Sequence, residues 1–192
     1  MLRVAQLIPD TEAEGPGRRA ALWVQGCSLR CPGCCNPEMF APDKGGEVLD
    51  TGEVARRILV TPDLEGLSVL GGEPFEQPRA VAEVCRAVRA AGLGVMVYSG
   101  YTLEELRAQR SPDVDALLAE VDLLVDGRFE QHNPERRRRW LGSANQRLHF
   151  LTSRYREDDP RFAAPNTVEL RFVNGQLTIN GWPAAADAIR RR

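Results

Sequence analysis

The sequence predicts an α/β fold: a partial (βα) barrel, an open, curved, mostly parallel sheet with helices on its outer face, plus a C-terminal antiparallel hairpin. Three observations predict it. Short apolar runs alternate with amphipathic stretches of helical period, the order that builds a parallel sheet with helices packed on it. Most of these runs end in an unusual short motif, where such folds place their ligand-binding groups. Finally, 192 residues with four or five parallel strands are too few to close an eight-stranded barrel.

The elements follow in order. Residues Met1 to Pro9 alternate like a short strand, and the Glu-, Gly- and Pro-rich stretch Asp10 to Arg18 reads as a loop. Arg19 to Gln25 is the first core strand, closed by Gly26. Cys27 to Ala41 carries four cysteines and no periodicity, which is a structured loop. Thr51 is placed to cap a helix running through Val54, Ile58 and Leu59. Leu67 to Leu70 is a buried strand ending in Gly71-Gly72-Glu73-Pro74. Pro78 opens a helix with Val81, Val84, Cys85 and Val88 on one face, so Cys85 belongs to the core, and Gly92 ends it.

Leu93 to Val97 is the next strand, reaching Tyr98-Ser-Gly-Tyr-Thr102. Thr102, Glu104 and Glu105 start a short helix, Pro112 to Glu120 forms another, and Val121 to Val125 is a strand ending in Asp126-Gly127. Thr167 to Val173 and Gln176 to Asn180 alternate around Asn174-Gly175, the signature of a hairpin. Ala184 to Arg191 is compatible with a terminal helix. One domain over 1–192 is expected, with a core of about 18–150 and a C-terminal extension over 151–192 that carries the hairpin at 167–180.

Composition narrows the class. A hydrophobic fraction of 43% against 27% charged residues excludes disorder over most of the chain. A formal net charge of −2 gives no reason to expect nucleic acid as a partner. Basic residues do crowd one stretch: Arg128, Arg136 to Arg139, Arg147, Arg154 and Arg156. No apolar run approaches the ~20 residues that span a bilayer, so no membrane partner is expected. Four of the five cysteines fall within nine residues, unlike a secreted disulfide scaffold, so a cytoplasmic, reducing location and a metal-binding use of the thiols are expected.

Cys27, Cys31 and Cys34 place three thiols in eight residues. Thiolates are the natural ligands of iron-sulfur clusters, and three ligands on a four-cornered cubane leave one iron open to bind a molecule. Cys35 points away from Cys34 and is read as a spare or supporting thiol. The competing reading is a structural zinc loop, hence a nonenzymatic metal-stabilised binding module. Its usual pair of Cys-x-x-Cys units across a spacer is missing.

The spacing Cys27-x3-Cys31-x2-Cys34 resembles the hallmark of the radical S-adenosylmethionine superfamily. Trp23-Val-Gln-Gly-Cys27 through Asn36, Gly71 to Pro74, Tyr98 to Leu106, Leu124 to Glu130 and Leu141 to Arg147 resemble, more narrowly, the activating proteins of anaerobic ribonucleoside-triphosphate reductase and of pyruvate formate-lyase. The sequence departs from them at Cys35, where an aromatic residue is usual, and at Arg128, commonly proline. The resemblance implies a [4Fe-4S] cluster whose open iron chelates S-adenosylmethionine. Reductive cleavage then yields a 5'-deoxyadenosyl radical that generates a glycyl radical on a partner enzyme. It also implies a reductant such as flavodoxin or ferredoxin. Gly71, Gly72, Glu73 and Pro74 would meet the methionine amino group. Ser99 and Asp126 are read either as partners of the ribose or as turn caps, and Asn145, with Gln146 and Arg147, either as cofactor contacts or as fold support.

The alternative activity is a radical modification of another peptide or of a small molecule such as a nucleoside derivative. His132 and His149 read as surface or fold residues. The run Arg136 to Arg139 reads as a solvated helix face or loop, or as a dock for an acidic partner with Trp140 as its anchor.

Overall fold

The computed structural model describes residues 1–173 and 175–182; the expected helix over 184–191 and Asn174 of the expected turn lie outside them. In chain order the elements are β1 (Leu2–Thr11), β2 (Arg19–Val24), β3 (Glu47–Leu49), α1 (Thr51–Leu59), β4 (Gly66–Gly71), α2 (Pro78–Ala90) and β5 (Gly94–Tyr98). There follow α3 (Leu103–Ala108), α4 (Pro112–Leu118), β6 (Leu123–Asp126), β7 (Arg147–Phe150), α5 (Pro160–Ala163), β8 (Val168–Val173) and β9 (Gln176–Gly181). A seven-stranded sheet runs β3-β1-β2-β4-β5-β6-β7, and β8 and β9 pair separately. The four middle strands β2, β4, β5 and β6 are parallel. Antiparallel β1, β3 and β7 flank them, giving the partial barrel and hairpin that the sequence predicts.

Side chains of alternate direction along each strand sort the core into two faces. Leu22, Val24, Leu67, Val69, Val95, Val97 and Leu124 pack outward with Val54, Ile58, Val81, Val84, Cys85, Val88 and Leu117 of the helices. On the opposite, concave face lie Ala21 and Trp23, and further along Met96, Leu123 and Val125. Cys85 is fully buried in the helical layer, as its stripe predicts.

Local signals set the helix ends. Asp50, not Thr51, is the N-cap of α1: its carboxylate accepts from the Gly52 and Glu53 amides at 2.9 and 3.2 Å, leaving Thr51 as the first helical residue. At α3 Thr102 and Glu105 form the reciprocal capping box. Gly92, at φ +84°, stops α2 where an L-residue would be strained.

Two regions depart from the sequence reading, and at a third the structure takes one of its alternatives. Strand β1 reaches Thr11, and the loop after it is not a surface loop: Ala13 and Glu14 are buried. Small residues permit this, since a methyl group on Gly15 would lie within 2.9 Å of Arg19, Met96 and Ser68 side-chain atoms. The run Arg136 to Arg139 is an irregular loop and no helix. It folds around the carboxylate of Glu135, which accepts from the amides of Arg136, Arg137 and Arg138 and from the Arg138 guanidinium. Trp140 is no exposed anchor. It is buried edge-on against Phe162 (centroids 5.2 Å apart) with Arg139 stacked on it at 4.3 Å.

Candidate iron-sulfur and cofactor site

The cysteine loop leaves the sheet at the carboxyl end of β2. Gly26, at φ +101°, turns the chain, and its carbonyl accepts from the Glu73 amide at 2.8 Å, while the Cys27 amide donates to Phe40 at 3.0 Å. Cys31-Pro32-Gly33-Cys34 is a tight turn closed by the Cys34 amide on the Cys31 carbonyl (3.1 Å). Proline second and glycine third, at φ +73°, are the residues such a turn demands. The first and last residues of that turn are both cysteines.

Cys27, Cys31, Cys34 and Cys35 all line one open cavity of about 250 Å³. Burial pushes the Cys27 and Cys34 thiols up, while backbone N–H groups oppose it, from Arg30 and Leu29 at Cys27 and from Asn36 at Cys34 (3.4 Å). Amides aimed at sulfur favour the thiolate that metal binding requires. Among the described residues no three His, Cys, Asp or Glu side chains converge as a single ion would need. Ligands of a cubane bind separate irons and need no common point. Soft donors, amide support and an adjoining cavity therefore fit an iron-sulfur cluster.

The opposite side of the cavity is built from the ends of β4 and β5. Gly71, Gly72, Glu73, Ser99 and Gly100 line it. Glu73 is buried between them. One of its oxygens accepts from the Phe75 amide (3.0 Å) and Ser99 hydroxyl (2.9 Å), the other from the Gly100 amide (2.8 Å). Burial pushes its carboxyl up to about 7 despite these donors. A methyl on Gly100 would lie 2.4 Å from the end of the Leu29 side chain, so the cysteine loop packs directly on the β5 turn.

Pro74 is buried and opens a 3-10 turn, Pro74–Glu76, supporting the motif from behind without lining the cavity. Asp126 also stands outside the lining. Fully buried, it accepts from the Leu103 amide at 2.7 Å and from Arg147 at 2.6 and 3.0 Å, and His149 Nε2 lies 2.9 Å away. Burial pushes Asp126 up, but these partners outweigh it and hold the carboxyl below its ordinary value. Asn145 is exposed and donates to the Arg128 carbonyl at 2.8 Å; its neighbour Gln146 reaches the cavity. Tyr98, Trp140, Asn180 and Glu14 complete a wall that sequence reasoning missed, apart from Trp140, to which it gave another role. The alternation of β5 could have pointed Tyr98 inward. Nothing local announces Glu14 or Asn180.

Glu14 carries a testable consequence. Burial pushes its carboxyl up to about 7, against the Gly181 amide (2.7 Å) and Asn180. The folded protein thus keeps a proton that the unfolded chain releases near 4.5. The native state binds more protons, so this group's contribution is fully present below about pH 4.5 and lost as pH rises to about 7. Glu14→Gln keeps an acceptor for Gly181 and removes the charge. We expect it to change little at pH 5 and to stabilise at pH 8 by about 2 kcal/mol. Thermal melts at both pH values check this, and an unchanged pH profile in the variant overturns it.

Comparison with known proteins agrees with this geometry. Residues 13–149 match the family described as a 4Fe-4S single cluster domain. With three thiols in the loop that follows β2, this makes the chain a radical S-adenosylmethionine enzyme that carries a [4Fe-4S] cluster and cleaves S-adenosylmethionine. The anaerobic ribonucleoside-triphosphate reductase-activating protein of Salmonella typhimurium is 33% identical over 162 residues, covering 78% of this chain and 99% of that protein. Those of Vibrio cholerae (34% over 158 residues, 77% and 97%) and Escherichia coli K12 (32% over 158 residues, 76% and 97%) are similar. The chain belongs to the family of anaerobic ribonucleoside-triphosphate reductase-activating proteins. It is an activase of the glycyl-radical-enzyme-activating type, acting on a protein partner, so the nonenzymatic module is set aside. No helix among the described residues is long and apolar enough to cross a membrane.

Proposed function

We propose that this activase installs a glycyl radical on an anaerobic ribonucleoside-triphosphate reductase. In this reading Cys27, Cys31 and Cys34 hold the cluster, and Gly71, Gly72, Glu73 and Ser99 surround S-adenosylmethionine. The single observation that carries it is the shared cavity, lined on one side by the thiols and on the other by the ends of β4 and β5. When bound and reduced, the cluster supplies the electron that cleaves S-adenosylmethionine to methionine and a 5'-deoxyadenosyl radical.

The chain's own residues supply position and shelter. Glu73 braces the exits of two strands through Phe75, Ser99 and Gly100, and so holds the glycine backbone in place to accept from an ammonium group. Leu29, Met39, Phe40, Leu70 and Phe129 give the cavity apolar walls that limit water around a reactive centre. Asp126, locked to Arg147, holds β6 to β7 behind the site instead of touching the ribose, and Asn145 supports the loop after β6 through Arg128. A flavodoxin or ferredoxin supplies the electron in a cytoplasmic setting, and residues 1–192 act as one domain.

Reduced, reconstituted protein mixed with S-adenosylmethionine and the reductase is expected to give a glycine-centred doublet in electron paramagnetic resonance, with 5'-deoxyadenosine formed alongside. An intact, reduced cluster with 5'-deoxyadenosine but no doublet would overturn this target.

A further inference from the structure

The β8–β9 hairpin lies beyond the residues that match the family, and it is built inside out. Register places Leu170 opposite Ile179 and Phe172 opposite Leu177 on one face, and Glu169 opposite Asn180 and Arg171 opposite Thr178 on the other. The polar face is the one turned to the body of the protein. Glu169 accepts from the Thr11 hydroxyl and the Glu12 amide, both at 2.8 Å. Asn180 donates to Thr11 at 3.0 Å, and Arg171 donates to the Asp10 carbonyl. Three of the four residues on the apolar face are left in solvent, with Leu170 58%, Phe172 75% and Leu177 56% exposed.

Burial of apolar area is the usual reason a hairpin docks on a domain, and here charged and amide groups do the docking. The exposed face is also continuous with the reaction site. Ile179, the cross-strand neighbour of Leu170 on that face, lines the cavity that also holds Cys27, Cys31 and Cys34. A protein that delivers a glycine into this cavity must cover its rim, and the rim here includes the hairpin.

We propose that the outward face formed by Leu170, Phe172 and Leu177 is the docking surface for the glycine-bearing partner protein. The proposal rests on the reductase-activating reading above. Clustered leucine and phenylalanine side chains beside a cavity suit the desolvated centre of a protein interface. The hairpin thereby gives this chain a partner contact outside the family core.

The test uses the full chain with its cluster, the anaerobic reductase as probe, and the variants Phe172→Ser and Leu170→Ser/Phe172→Ser/Leu177→Ser. Partner-free formation of 5'-deoxyadenosine with a chemical reductant is expected to match wild type, because none of the three side chains lines the cavity. The reductase concentration giving half-maximal glycyl radical is expected to rise about tenfold or more in the triple variant, and less in Phe172→Ser. If the triple variant loses partner-free activity, Phe172→Ser decides alone. Unchanged half-saturation overturns the proposal. So does a wild-type dimer in sedimentation that the substitutions dissociate, which would assign the face to a second copy of this chain. Direct binding of the reductase separates failures: a wild type that binds it but forms no radical refutes the target reading, and loss of that binding in the variants still supports docking. A wild type that neither binds nor radicalises the reductase overturns both.

Discussion

Serine in place of Cys31 is expected to strip the cluster and to reduce 5'-deoxyadenosine formation to background, a loss on the order of a thousandfold or more. On the proposed assignment, the turn Cys31-Pro32-Gly33-Cys34, closed by the Cys34 amide on the Cys31 carbonyl, holds two of the three ligands, and losing either would leave two thiols for four irons. A serine hydroxyl is a harder and far less acidic donor than a thiol, so equal size does not rescue it. Two other cysteines serve as controls. Cys85 is fully buried among α2 and the sheet, and burial pushes its thiol up to about 12. Cys85→Ser places a hydroxyl in the core and is expected to cost roughly 1–3 kcal/mol of stability with the cluster retained. Cys35→Ser is expected to keep iron and sulfide as well, because on the proposed assignment Cys27, Cys31 and Cys34 supply the three ligands, although Cys35 lines the same cavity. Iron and sulfide analysis, visible absorbance and 5'-deoxyadenosine assay check all three. A Cys31→Ser protein with a full complement of iron, or a Cys35→Ser protein without it, would break the ligand assignment.

What the sequence makes legible is what contiguous residues determine. Strands β2, β4, β5 and β6 declare themselves because each is a short apolar run between glycines or caps, and every apolar side chain in them packs on one face or the other. The cysteine loop is legible for the same reason: its three spaced thiols lie within eight residues, and proline and glycine write its turn locally. Strands β3 and β7, of three and four residues, are too short to show a period. The rest depends on residues that meet only after folding. Glu14 looks like one more acid in a loop until Gly181, 167 residues away, donates to it. Asp126 reads as a ribose partner or a turn cap at a strand end until antiparallel β7 brings Arg147 and His149 across it. The hairpin itself is plain from alternation around Asn174-Gly175, but alternation predicts the apolar face inward. Only the bonds of Glu169, Arg171 and Asn180 to residues 10–12 reveal that it faces outward.

Alanine at Gly72 is expected to damage catalysis more than stability. A methyl group there would lie 2.2 Å from the Gly26 carbonyl oxygen and 2.8 Å from its carbon, all backbone atoms that no rotamer change can clear. Gly26 immediately precedes Cys27, and its carbonyl accepts from the Glu73 amide at 2.8 Å, so this one contact joins the root of the cysteine loop to the turn proposed to cradle the cofactor. Relieving the clash pushes those two elements apart by most of an ångström. Overpacking of this kind costs roughly 1–3 kcal/mol. A misplacement of about 1 Å between cluster and cofactor is expected to cost about a hundredfold in 5'-deoxyadenosine formation. Gly92→Ala is the matched control: it sits at φ +84° with nothing within 4 Å, so it strains the end of α2 by about 1 kcal/mol and leaves the site alone. Melting temperature and rate, measured on both variants after reconstitution, separate the two effects. Gly72→Ala with wild-type turnover would mean that the ends of β2 and β4 are free to slide, and that the close approach of their backbones does not set the distance between cluster and cofactor.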